Sequence, residues 1–194
     1  MTTLTAHLVA DAQRIAELRE RTMARKRGSD HRGWLWEISP VDARSLRNSE
    51  GEPWTVRRGR LTRDRLAAMR FELDDLELFV GRLSAQRPSP GIVSGVEPYL
   101  GDRTLRQPGQ TGHCELDLDL LFELGLDGLA DRIRRRLDTA QGEQAETYRA
   151  FLDALDGFSQ MIDHAAEVVE AVLSDGPAAP RRTELQNLAA ACRR

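Results

Sequence analysis

The chain has 194 residues, enough for one domain with a sizeable core. Its 28 basic and 31 acidic residues leave a net charge of −3, which argues against nucleic acid or a polybasic membrane patch as the main partner. Two cysteines, Cys114 and Cys192, make neither a disulfide framework nor a zinc pattern, and no run is apolar enough for a signal peptide or a membrane span. The expectation is a cytoplasmic protein with reduced thiols. Lys26 is the sole lysine, so nearly all the positive charge is arginine. Arginine pairs bidentately with carboxylates, and a surface rich in both is suited to ion pairing. A general arginine bias in composition accounts for the same pattern.

Residues 5 to 27 read as an amphipathic helix, with Leu8, Ala12, Ile15, Leu18 and Thr22 on one face and Gly28 as its stop. Residues 28 to 37 place His31, Trp34 and Trp36 in a loop; the tryptophans, with Trp54, read as packing anchors before pocket walls. Ser39-Pro40 starts the next helix, a hydroxyl cap followed by proline at the first helical position, and that helix ends near Asn48. Ser49 to Pro53 is a turn, and Pro53 opens a helix carrying Val56, Leu61, Leu66 and Met69. Leu76 to Gly81 is short and β-prone, which predicts a strand or an extended buried segment. Residues 82 to 112 carry repeated glycine and proline; a connection this long is either functional or packed on something else.

Asp117 is placed to cap a helix with Leu118, Leu121, Phe122, Leu126, Leu129, Ile133 and Leu137 along it, and Gly125 and Gly128 are its weak points. The Arg132 to Arg136 run reads as a solvated face paired with Asp127, Asp131 and Asp138 rather than a phosphate site. Residues 143 to 173 give the cleanest periodicity: Tyr148, Phe151, Leu152, Leu155, Phe158, Ile162, Ala165, Val169 and Val172 recur at three- and four-residue steps. His164 falls within this helix and reads as structural. Asp175-Gly176-Pro177 ends it. Thr183-Glu184-Leu185-Gln186 has the spacing of a capping box and starts the last helix. The fold expected is mainly α: a helical bundle-like single domain over 1–194 with one short strand and a long Gly/Pro-rich loop (82–112). The helix at 143–173 is expected to pack on helices 5–27 and 118–140.

The stretch from Gln107 to Leu129 organises the chain. A glycine-rich loop delivers His113, two residues before Glu115, and an acidic turn follows at Asp117. A histidine beside a glycine turn can approach a ligand closely, and its near-neutral pKa suits proton transfer. The plainer reading makes His113 a helix-entry residue bonded to backbone, with Glu115 and Asp117 as caps and dipole partners. Cys114 reads as a small buried hydrophobe; as a nucleophile it would need a base such as His31 or His164 brought to it in space. His113 with Glu115 and Asp117 does not read as a metal site.

In chain order, several segments resemble one family. Arg14-Ile15-Ala16-Glu17-Leu18-Arg19-Glu20 is similar to its opening helix. Glu50-Gly51-Glu52-Pro53 with Arg57-Arg58 is similar to an EGEP turn followed by paired arginines. Asp75-Leu76-Glu77-Leu78-Phe79-Val80-Gly81 is similar to a DDELIVG segment. Gly112-His113, then Asp117, Gly125-Leu126 and Gly128-Leu129, are similar to its GH, D and GL stretch. Tyr148 onward, and Ala191-Cys192-Arg193-Arg194, resemble helices that precede its barrel. The family is the glycyl-radical enzymes, of the pyruvate formate-lyase and glycerol dehydratase kind, and the likeness covers their N-terminal region.

That resemblance implies a lyase or dehydratase in which a barrel cysteine becomes a thiyl radical. The radical derives from a glycyl radical installed by a separate S-adenosylmethionine-dependent activase. This chain has no RVxG loop, and its cysteines do not match the catalytic position, so it is expected to bind no cofactor itself. It would be an N-terminal portion or split subunit, incomplete alone, joined by a barrel-bearing partner. In the dehydratase subgroup the matching histidine assists loss of a substrate hydroxyl, which gives His113 the substrate hydrogen bond and proton transfer, with Glu115 and Asp117 beside it as substrate-binding residues. Such a portion should expose apolar or glycine-rich surface. The alternatives are a degenerate stand-alone helical interaction protein, marked by a homo-oligomer, and an independent enzyme on His113, Cys114 and Glu115.

Overall fold

The structure is a computed structural model, and it describes residues 3–28, 40–83 and 118–193. The described elements are α1 (Thr3–Gly28), α2 (Pro40–Asn48), α3 (Trp54–Ala67), β1 (Phe71–Glu72), β2 (Arg82–Leu83), α4 (Leu118–Leu137), α5 (Gly142–Ser174) and α6 (Ala179–Cys192). The protein is mainly α, as the periodicities predict.

The chain divides into two compact units. Met1–Trp36, Arg70–Gln86 and His164–Arg194 form one; Glu37–Met69 and Arg87–Asp163 form the other. Helix α5 contributes residues to both.

In the second unit, α2 and α3 make a helical hairpin. Proline at the first position of α2 costs no hydrogen bond, because the first N–H groups of a helix lack partners. The turn after α2 passes through Gly51 at φ 83°, a conformation that suits glycine. The carbonyls at the C-terminus of α2 are satisfied from two sides. The Ser49 hydroxyl donates to Ser45 O at 2.9 Å and Arg57 Nη2 on α3 donates to Leu46 O at 3.1 Å. At the other end of the hairpin Arg65 grips Asp42 with two bonds of 2.8 Å. Asp42 is buried, and Arg65 gives both its oxygens a partner. Ala43, Leu46, Val56 and Leu61 fill the space between.

Helix α3 meets α5 at two glycines. A Cβ on Gly59 would lie 2.4 Å from Ala150 Cα, and one on Gly157 would lie 2.5 Å from Arg63 Cα. Only hydrogen fits at either point, so the two backbones approach to direct contact. The periodicity of α5 points to its large apolar residues as the core, but in this unit its buried positions are Ala145, Ala150 and Gly157, while Phe151 is 52% exposed. The partner that fixes this face is α3, which the sequence pattern does not indicate.

Helix α4 breaks at Gly125, whose φ of 61° and ψ of −175° are not helical. Of the two expected weak points only this one yields. Gly128 stays helical, and a Cβ there would sit 3.0 Å from the Leu124 Cβ.

In the first unit, β1 and β2 pair antiparallel, Phe71 with Leu83 and Glu72 with Arg82. The strand expected at 76–81 is therefore corrected: those residues are the connection between two shorter strands. The physical reason is polar. Arg14 Nε donates to Leu76 O at 2.7 Å, and Asp74 accepts from the Leu76 N–H at 3.1 Å, so the backbone that a strand would need is bonded otherwise. Leu78 and Phe79 face outward, Phe79 at 81% exposure. Helix α5 ends where expected, through Gly176 at φ 74°. The capping box is not formed: α6 begins four residues earlier, at Ala179, with Pro180 in its first turn. Thr183 back-bonds to Ala179 O, and Glu184 pairs with Arg14 and Arg181. Val169 and Leu185 are fully buried in this unit.

Candidate functional site

His113, Glu115 and Asp117, together with Cys114, His31, Trp34 and Trp36, lie outside the described residues. The other sequence candidates have structural partners. His164 Nδ1 is 2.9 Å from Arg70 Nη1. Trp54 carries the Arg57 guanidinium 5.6 Å from its ring centroid. Arg134 pairs with Asp131 at 2.7 Å on an open helix face, which fits the solvated reading. Cys192 is partly buried, and burial pushes its thiol pKa up, away from thiolate reactivity. Among the described residues no group of three His, Cys, Asp or Glu could hold a metal ion.

What the described residues do form is a cleft of about 420 Å³ in the second unit, between α2, α3 and α5. That volume is within the range of small-molecule sites. Helix α2 lends Ser45 and Asn48; α3 lends Val56, Arg60, Arg63 and Asp64; α5 lends Arg149, Leu152 and Asp153. The close glycine crossings explain why the cleft exists. They draw α3 and α5 together at two points, and the long side chains between must turn aside into one space.

The charges in the cleft are largely tied. Arg63 Nε reaches Asp64 at 2.9 Å and its Nη1 reaches Asp153 at 3.1 Å. Arg60 pairs with Glu52. Burial pushes the Asp153 carboxyl above the usual range, and Arg63 and Arg60 oppose that shift. Val56 and Leu152 provide an apolar floor. Sequence reasoning missed this group. One signal was present, the Arg149-to-Asp153 spacing on one helix face. The pairing that matters, Asp153 with Arg63, spans 90 residues and has no local signature.

The comparisons with known proteins reach only the α5 wall of this cleft. A family model described as pyruvate formate lyase-like matches residues 103–194. This stretch is pyruvate formate lyase-like. The match relates the protein to the glycyl-radical enzymes and takes in α4, α5 and α6 whole, as well as His113, Glu115 and Asp117. It begins at residue 103, so the likenesses at 14–20, 50–58 and 75–81 fall outside it. No curated protein and no solved structure matches. Among the described residues, no helix is long and apolar enough to cross a membrane.

Proposed function

We propose that this pyruvate formate lyase-like chain is a helical portion or subunit of a glycyl-radical lyase or dehydratase, working in the cytoplasm. The barrel, its cysteine and the glycyl loop come from a partner or from sequence outside these residues, and so does the radical installed by an S-adenosylmethionine activase. His113 meets the substrate in the completed enzyme, with Glu115 and Asp117 beside it. The observation that carries this reading is the family match over residues 103–194. It is supported by the large apolar side chains left in solvent on both units: Ile15 and Phe79 on one, Phe122 and Phe151 on the other. Side chains of that size, left outside, are suited to a second surface.

The test is native mass spectrometry of the protein purified from its own source, followed by electron paramagnetic resonance of the activated assembly. The expected result is a much heavier species and a glycyl-radical signal, with His113→Ala lowering turnover about a hundredfold or more while the signal persists. A lone chain, or a homo-oligomer with no radical after activation, refutes the reading and favours a stand-alone interaction protein of the same origin.

A further inference from the structure

One wall of the α2–α3–α5 cleft carries an unpaired guanidinium and a carboxylate oxygen left open. Arg149, exposed, has no hydrogen bond or ion pair among the described residues. Asp153, one helical turn further on, accepts from Arg63 at Oδ1 and keeps Oδ2 unbonded among the described residues. The two stand four residues apart on one helix, the spacing at which opposite charges can pair, yet no ion pair joins them. Asp153 is drawn instead to Arg63. A cation and an anionic oxygen are thus presented side by side and unjoined. The Ser45 hydroxyl on α2 is closed off beneath the cleft and takes no part in this pairing.

We propose that this cleft binds a small zwitterion of α-amino-acid size. The carboxylate sits against the Arg149 guanidinium, whose planar fork suits two oxygens. The ammonium sits against Asp153 Oδ2. Val56 and Leu152 receive an apolar side chain. The cleft's other charges are already paired with one another, so a ligand with no net charge is preferred to an anion. This binding does not depend on the radical reading and needs no partner chain.

The experiment is calorimetric titration and thermal unfolding of the whole 194-residue chain with three sets of probes. These are the twenty common L-amino acids, the corresponding amines lacking the carboxylate, and simple carboxylates and sulfate. Expected is saturable binding of aliphatic amino acids at millimolar concentration or below, with the amines and carboxylates bound at least about tenfold more weakly. Arg149→Gln should weaken binding about tenfold or more with circular dichroism unchanged, because this side chain supports nothing in the fold. Asp153→Asn should act alike. Arg149→Lys, which keeps the charge, should recover part of the loss. No amino acid binding at millimolar concentration overturns the proposal. So does binding unchanged by Arg149→Gln, or equal binding of acetate and sulfate, which would make the cleft a general anion patch.

Discussion

In the unit built on α2, α3 and residues 142 to 163 of α5, glycines let helix backbones touch, and the buried side chains are mostly apolar, with Asp42, Ser45 and Ser49 among them. In the unit with the short hairpin and α6, arginines from distant segments hold a loop that has little core of its own. Arg14 binds both oxygens of Glu184 at 2.7 and 3.0 Å and also reaches the backbone of the loop. Arg181 donates to Glu184 and to Asp74 O. Arg21 reaches Asp74 and Asp75, and Arg82 reaches Glu72 and Glu77. Packing in the first case depends chiefly on steric fit, with buried Asp42 paired to Arg65 as its main charged contact. Holding in the second depends on ionised carboxylates, which acid removes. The difference teaches that the many arginines do two jobs. In one unit they tie a loop in place, and in the other they clasp the α2–α3 hairpin and edge a cleft.

Steric change should separate the units most sharply. Gly157→Ala gains about 1 kcal/mol of helix propensity, yet its Cβ would lie 2.5 Å from Arg63 Cα and 2.6 Å from Arg63 O. Backbone cannot step aside as a side chain can. A net loss of about 3 kcal/mol is expected, read by urea unfolding, together with loss of the cleft. Asp42→Ala should follow at about 2 kcal/mol, because it strips Arg65 of a bidentate partner and removes an acid from the first turn of α2. Arg65 is nearly half exposed, so water takes up part of that loss.

The arginine-held unit should yield less to any one change and more to acid. Glu184→Gln should cost about 1 kcal/mol after allowance for screening, since the side chain is about one-third exposed. Its hydrogen bond with Arg14 holds the carboxyl below the ordinary 4.5. A depressed folded pKa contributes stability that is present above the unfolded value and is lost as pH falls through the folded one. Asp153, raised by burial, has the opposite sign: its contribution is present below 3.8 and is lost as pH rises through the folded value. Below about pH 4.5, hydrogen exchange should therefore rise first at residues 74–77 and 179–185, ahead of residues 54–67. Equal loss in both would end the comparison. The smallest effect serves as a control: Gly81→Ala meets nothing within 4 Å and should change stability by under about 0.5 kcal/mol.

The sequence by itself determined where most helices begin and end. Proline at position 40, glycine at 51 and 176, and the long periodic run of α5 act through local backbone preference, which needs no distant partner. It also carried the pyruvate formate lyase-like character of residues 103–194, the stretch that holds Gly112-His113. It did not disclose which face of α5 is buried, because the decision lies in two glycine crossings with α3, and a glycine in a helix looks the same in sequence whether or not a backbone rests on it. Nor did it show that Leu76 to Gly81 would be a loop, or that Glu184 would leave its capping box. In both cases an arginine far along the chain offers a charged partner that outweighs a weak local preference. Only the tertiary structure brought Ser45, Arg63, Arg149 and Asp153 to one cleft, because those contacts follow from helix crossings rather than from spacing along the chain.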